Sequence, residues 1–243
     1  MVRIAVMAAI FASVVMAAEP LRFEPRHLAQ KIPNCEAEFT YVEMVDGPAL
    51  ARDRINAAIR DFVVSRPGDD LVLTPEQYAK HFVTECDQAR REANDSFLHW
   101  SESKSVKVVR ASPPLISLEA FSESYYGGVH GSFGTFFLNF DAGTGQRVQF
   151  SAILKDGAMP QLTAIAEAYF RKARQLTPTA NLKEAGFDFP GGRFQLNGNF
   201  GLSEASLFFN YNLSEIGPYS MGETTIEIPL AEVRALLRPE YIP

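Results

Sequence analysis

Residues 115–141 read LISLEAFSESYYGGVHGSFGTFFLNFD. Apolar side chains alternate with others around Ile116, Leu118 and Phe121 in Leu115 to Tyr125, the period of a half-buried strand, and a second apolar run occupies Thr135 to Asp141. Between them, Tyr125-Tyr126-Gly127-Gly128-Val129-His130-Gly131-Ser132-Phe133-Gly134 holds two tyrosines, four glycines and one histidine. Glycines this dense permit positive φ and close approach of other groups, which predicts a shaped strand-to-strand connection. The same loop is placed to present Tyr125, Tyr126 and His130 to a partner.

Working outward, Leu98 to Arg110 alternates Val106 and Val108 against Lys107, and Ser112-Pro113-Pro114 breaks the run. Three consecutive antiparallel strands, a meander, follow from this. Further upstream, Cys35 to Met44 reads as a strand ended by Gly47-Pro48. Leu50, Ile55, Ala58, Ile59, Phe62 and Val63 then recur at helical spacing up to Ser65-Arg66-Pro67-Gly68. A second helix has a marked start, with Thr74 as N-cap, Pro75 at the first position and Gln77 completing a capping box. It runs to about Asn94 with Tyr78, Phe82, Cys86 and Ala89 inward, and His81 beside that face reads as a structural histidine. Downstream, a short strand is expected at Arg147 to Phe150 and a helix from Pro160 to before Pro178. Strands are then expected at Arg193 to Asn197, Ala205 to Tyr211 and Thr224 to Ile228, with a closing helix from Leu230 to Leu237. Strands in runs with helices segregated between them predict an α+β fold, a mostly antiparallel sheet with helices packed on one face.

With 243 residues, 47% of them hydrophobic and 21% charged, the chain can bury a full core in one domain. Residues 1–18 read as a secretory signal: Arg3, an apolar run from Ile4 to Val15, and small residues near Ala17 and Ala18. The run is short for a membrane span, and no cysteine follows it to carry a lipid. Residues 19–34, with Pro20, Pro25 and Pro33, are expected to form an extended, irregular lead-in. The domain then covers 35–243, a strand-helix-helix part over 35–97 and a sheet-rich part over 98–243. Loss of the leader removes Arg3 alone and takes the formal charge from −6 to −7, which disfavours nucleic acid and favours basic protein partners. Cys35 and Cys86 are the only cysteines, and an even pair in an exported chain suggests a disulfide, with two buried thiols as the alternative.

Catalytic motifs are scarce. His130 and Ser132 lack a nucleophile elbow, and no zinc-protease, phosphate-loop, dinucleotide or calcium-loop motif is present. Glu119, Glu123 and Asp141 lie near the glycine loop but fit the solvent side of alternating strands. Neither a metal nor another cofactor is expected, and no catalytic residue is assigned.

The order Tyr-x-Gly-Gly-x-His-Gly, Asn139-Phe140-Asp141, Thr144-Gly145, Val148 and Phe150-x-x-Ile153-Leu154 resembles the extracellular domain of RsiV-type anti-sigma factors. That domain also occurs beside the catalytic domain of PdaC-type peptidoglycan deacetylases. A second block agrees: Phe194-Gln195-Leu196, Leu207 to Tyr211, Glu215-Ile216-Gly217-Pro218-Tyr219, Gly222 and Thr225 to Pro229. The resemblance implies an exported, periplasmic or secreted binding protein that recognises a muramidase-like protein such as lysozyme, as sensor or inhibitor. The deacetylases' separate catalytic domain has no counterpart in this sequence. A peptidoglycan-glycan binding module is the alternative, and an envelope hydrolase a more distant one. In either binding reading the candidate residues are Tyr125, Tyr126, Gly127, Gly128, His130, Tyr211 and Tyr219, since exposed tyrosines supply contact area and can stack on sugars.

Overall fold

The computed structural model describes residues 20–66 and 72–242, so the expected leader, 1–18, lies outside the described residues. The fold is α+β. A five-stranded sheet has the order β1-β2-β3-β4-β5 and a three-stranded sheet the order β6-β7-β8. In the larger sheet β2 (Cys35–Asp46), β3 (Trp100–Ser112), β4 (Leu115–Tyr126) and β5 (Ser132–Asp141) fall where the alternation places them. The strands β3, β4 and β5 form the antiparallel meander. The β2–β3 pair is parallel, because two helices cross between those strands.

One correction concerns the lead-in. Residues Arg22–Ile32 form β1, paired antiparallel with β2. Prolines argue against a central strand, but β1 is the sheet edge, where Pro25 need not donate to an outer neighbour. Arg22 and Arg26 complete the edge by pairing with Asp46 and Glu43 of β2.

The helices α1 (Ala49–Val64) and α2 (Pro75–Ala93) lie against the larger sheet. The capping box at Thr74 and Gln77 is formed as expected, and Asn94 closes α2 in the left-handed conformation. Helix α1 buries Ile55 and Ile59 on Val106, Leu118 and Phe140, while α2 buries Tyr78, Phe82 and Cys86 on Cys35, Ala37 and Phe39. Strand β2 leaves β3 after Thr40, which would strand the main chain of Met44. The buried Asn56 amide of α1 accepts from Met44 N–H at 2.8 Å and donates to its carbonyl at 2.9 Å. Cys35 and Cys86 form the disulfide, with Cα atoms 5.9 Å apart, and fasten β2 to α2.

Downstream the sheet divides. Residues Arg147 to Phe150 do not make a strand: Arg147 forms one bridge to Phe140, and the chain turns into the short helix α3 (Phe150–Ile153). Phe150 draws it away from β5 by packing on Phe200 and Phe209. The strand expected at Arg193 to Asn197 is likewise absent. There Phe194 enters an aromatic cluster with Phe170 and Phe189, and the Asn197 amide is spent on Asn210 O and Glu215. The strand comes later, as β6 (Phe200–Leu202), beside β7 (Ser206–Tyr211) and β8 (Thr224–Pro229). Helix α4 (Met159–Ala173) packs Leu162, Ala166 and Phe170 into this second core. The closing segment is α5 (Leu230–Val233) followed by a tighter turn over Arg234–Leu236.

Asparagines join the two sheets. The outer edge of β5 would expose main-chain groups, an invitation to unwanted strand pairing. Thr135 N–H donates to Asn212 Oδ1 and Phe137 N–H to Asn199 Oδ1, while the Thr135 carbonyl accepts from Asn199. Asn139 donates to the Phe200 carbonyl, and Phe137 stacks on Phe208. Gly201 sits under the Phe137 ring, where a Cβ would lie 2.4 Å from it. The loops after β7 are thereby held at the turn end of the β4–β5 hairpin.

Candidate functional site

The register brings small polar residues together on one face of the meander. Glu102 of β3 lies opposite Ser124 of β4, and Ser124 opposite Ser132 of β5; Lys104 lies opposite Ser122, and Ser122 opposite Gly134. Serine and glycine offer no apolar surface for a helix to bury. Helix α1 accordingly covers Ala120 and ends near Phe136, with the Phe62 and Phe136 rings 6.0 Å apart. Beyond that point the sheet face stays open as a cleft of about 1080 Å³.

Each wall has a separate source. Ser65 and Arg66 after α1, with Glu85 of α2, form one side; Leu213, Ser214 and Tyr219 form the other. Trp100 and Tyr126, paired across β3 and β4, lie with ring centroids 5.4 Å apart and a 77° interplanar angle, and both pack on Phe82. The aromatic end is therefore seated on the core of α2.

At the floor, Glu102 and Lys104 are nearly inaccessible, and their charged groups are 3.2 Å apart. Glu102 also accepts a 2.7 Å bond from Tyr78 Oη, and Lys104 Nζ donates to the carbonyls of Val63 and Ser65. Lys104 thus caps the C-terminal end of α1 from the sheet, where a cation is favourable. Burial lowers the Lys104 pKa while Glu102 opposes the shift, and burial together with the Glu102 charge raises that of Tyr78 well above the phenol range.

The glycine loop at the rim is short, residues 127–131, and is braced. Gly127 has φ +79°, and a Cβ there would meet Leu98 at 2.5 Å; a Cβ on Gly131 would meet the Ser124 carbonyl at 2.9 Å. Tyr125 Oη donates to the Gly128 carbonyl at 2.9 Å and Tyr219 Oη to the Gly131 carbonyl at 2.8 Å. The His130 ring stacks on Tyr219 at 4.0 Å. Val129 at the tip is fully exposed.

Of the residues expected from sequence, Tyr126, Gly128, His130 and Tyr219 line the cleft. Tyr125 is turned to the other face beside His99, and Gly127 shapes the backbone. Tyr211 is corrected outright: it is 1% exposed, and its hydroxyl donates to the Gln195 carbonyl inside the second core. The expectation failed because Tyr211 ends β7 with its ring in the second core, whereas Tyr219 sits on a tight turn outside any strand. Sequence reasoning missed Trp100, Glu102, Ser122, Ser124 and Ser132. Their signal was small residues at alternate positions running into an aromatic, where a buried strand face would carry aliphatics. Glu119 pairs with Lys107 and Asp141 caps its own turn through Thr144, so neither belongs to the cleft. Among the described residues, no three His, Cys, Asp or Glu side chains gather to hold a metal ion.

Residues 151–231 match a family model described as "Protein of unknown function (DUF3298)". A DUF3298 family member from Bacteroides fragilis NCTC 9343 has a similar structure, with TM-score 0.72 and 20% identity over 92% of this chain and 96% of that one. A DUF3298 family protein from Pseudomonas aeruginosa PAO1 gives TM-score 0.68 and 17% identity over 92% and 97%. At this identity the likeness establishes the fold. No curated protein matches the sequence. The matched residues, 151–231, supply α4, the second sheet and the Leu213 to Tyr219 wall, while the glycine loop lies outside them. The narrower likeness to RsiV-type and PdaC-type proteins rests on the quoted motifs.

Proposed function

We propose that the chain is an exported cell-envelope protein that recognises a muramidase-like protein such as lysozyme, with the glycine-loop rim as its contact surface. The observation that carries this reading is the stack of His130 on Tyr219, which fixes one motif block against the other at the mouth of the cleft. A braced loop with an exposed apolar tip at Val129 loses little conformational entropy on binding, and buried aromatic anchors dominate interface energies. The acidic net charge favours a basic partner by steering its approach. The Cys35–Cys86 bond suits an oxidising compartment, and among the described residues no helix is long and apolar enough to cross a membrane.

Isothermal titration of the mature protein with lysozyme tests the reading. Saturable binding that weakens with added salt is expected. Absence of heat at low and at physiological ionic strength, in folded protein, would overturn it.

A further inference from the structure

The rim does not account for the cleft behind it. We propose that this cleft is a second binding site, taking a neutral, hydroxyl-rich saccharide of two or more rings.

Shape, charge and lining chemistry select this class together. A volume of about 1080 Å³ is slightly above the range of sites that enclose a drug-sized ligand, roughly 300 to 1,000 Å³, so it has room for more than one sugar ring. The lining charges are neutralised internally. Arg66 Nη1 bonds Glu85 Oε2 at 2.7 Å, and Glu102 is paired with Lys104 beneath the floor. An anionic or cationic ligand would have to break one of those pairs, which leaves a desolvated charge unpaired. A neutral ligand meets no such cost.

The rest of the lining separates into two kinds of surface. Ser122, Ser124 and Ser132 place hydroxyls that both donate and accept along the floor, matching the hydrogen-bonding habit of a sugar hydroxyl. Trp100, Tyr126 and Phe136 supply aromatic faces and edges around them, matching the apolar faces of pyranose rings. A purely apolar ligand would leave the serine hydroxyls facing it without partners, so the hydroxyl floor argues against a lipid.

Trp100 is the chain's single tryptophan, so its emission reports on this cleft directly. The probe is the β-1,4-linked tetramer of N-acetylglucosamine, with cellotetraose as a second neutral oligosaccharide. A saturable shift in Trp100 emission is expected with at least one of them. Tyr126→Ala should weaken it about tenfold, the scale of a lost aromatic contact. Ser124→Leu, which fills the floor between Glu102 and Ser132 and keeps every side chain of the glycine loop, should abolish the shift while circular dichroism and lysozyme titration stay as in the wild type. No saturable shift with either oligosaccharide, or wild-type affinity in Ser124→Leu, would overturn the saccharide site. Because lysozyme is titrated separately, retained lysozyme binding with no sugar response removes only this inference, and the converse result removes only the rim reading.

Discussion

His130 stacks on Tyr219 with ring centroids 4.0 Å apart and planes 26° from parallel, although the two come from different sheets' connecting loops. The hydroxyl of the same Tyr219 reaches the carbonyl of Gly131, so one tyrosine holds two successive residues of the glycine loop. Loss of the stack therefore loosens the rim and removes a contact residue together. His130→Ala is expected to weaken lysozyme binding by about 1 to 3 kcal/mol, the range of an interface anchor. Tyr219→Phe keeps the ring and loses one hydrogen bond, so a smaller loss of about 0.5 to 1.5 kcal/mol is expected. Isothermal titration, with circular dichroism to confirm folding, measures both; wild-type affinity in His130→Ala assigns the loop to packing alone.

The adjacent glycines of the loop have different reasons to be glycine. Gly127 combines positive φ with a Cβ position 2.5 Å from Leu98, whereas the nearest atom to a Cβ on Gly128 is 4.0 Å away and its φ lies outside the left-handed region. Gly127→Ala is expected to cost more than about 1 kcal/mol in chemical denaturation, and Gly128→Ala to fall within about 0.5 kcal/mol of wild type. Equal effects at the two positions would contradict this backbone geometry.

The contrast shows where sequence alone was informative. Periodicity and caps carried the meander, α1, α2 with its capping box and α4, because each is dictated by neighbours in the chain, while the pairing of Cys35 with Cys86 was legible because the chain has only those two cysteines. Strand β1 was hidden by Pro25 within it, which an edge strand tolerates, and by Pro20 and Pro33 on either side. The false strand at Arg193 to Asn197 was hidden by Phe194, whose apolar character serves an aromatic cluster. The cleft was half legible. Its rim is a dense local motif, but its floor depends on cross-strand register, which pairs Glu102, Ser124 and Ser132 only once three strands are aligned.

Removal of the disulfide tests how strongly β2 is tied to α2. Cys35 and Cys86 are 51 residues apart, and closing a loop of that length restricts the unfolded chain by roughly 4 kcal/mol in the entropic model. Cys35→Ser is expected to lose a few kcal/mol of stability, up to that figure, by urea denaturation. Two thiols titrating in native, non-reduced protein would show that the bond is not formed.

The buried pair under the cleft gives a sharper test. Lys104→Met leaves Glu102 with Tyr78 as its remaining partner among those described above, and leaves the carbonyls of Val63 and Ser65 without their donor. Breaking one side of a buried pair costs about 3 to 5 kcal/mol, while replacing both charges together is often close to neutral. Lys104→Met is expected in that range, and adding Glu102→Gln should recover part of it. A single-variant cost below about 1 kcal/mol in a two-state urea titration would mean that the pair is not electrostatically coupled.

Alkaline pH exposes the two buried phenols. Burial pushes the pKa of Tyr78 up, with the charge of Glu102 and their hydrogen bond adding to it; burial and the charge of Glu215 do the same for Tyr211. An acid whose folded pKa lies above its unfolded value keeps its proton longer when folded. Stability from these groups is therefore fully present below the ordinary tyrosine value near 10 and declines above it, by about 1.4 kcal/mol per pH unit for each residue. Lys104 acts in the opposite sense, since its lowered pKa makes the folded state gain stability as pH rises toward the ordinary lysine value near 10.5. That gain ends where the tyrosine loss has just begun, so the loss dominates at higher pH. Urea midpoints taken from about pH 8 to 11.5 are expected to hold or rise slightly and then fall beyond about pH 10. Both cysteines are in the disulfide, so no free thiol is present to start its exchange over this range. Tyr211→Phe forfeits the hydrogen bond to Gln195 and should be about 1 kcal/mol less stable at pH 8, yet its alkaline decline should be shallower by one tyrosine's share. Parallel declines in variant and wild type would show that Tyr211 releases its proton equally in both states, and that its burial does not set the alkaline limit.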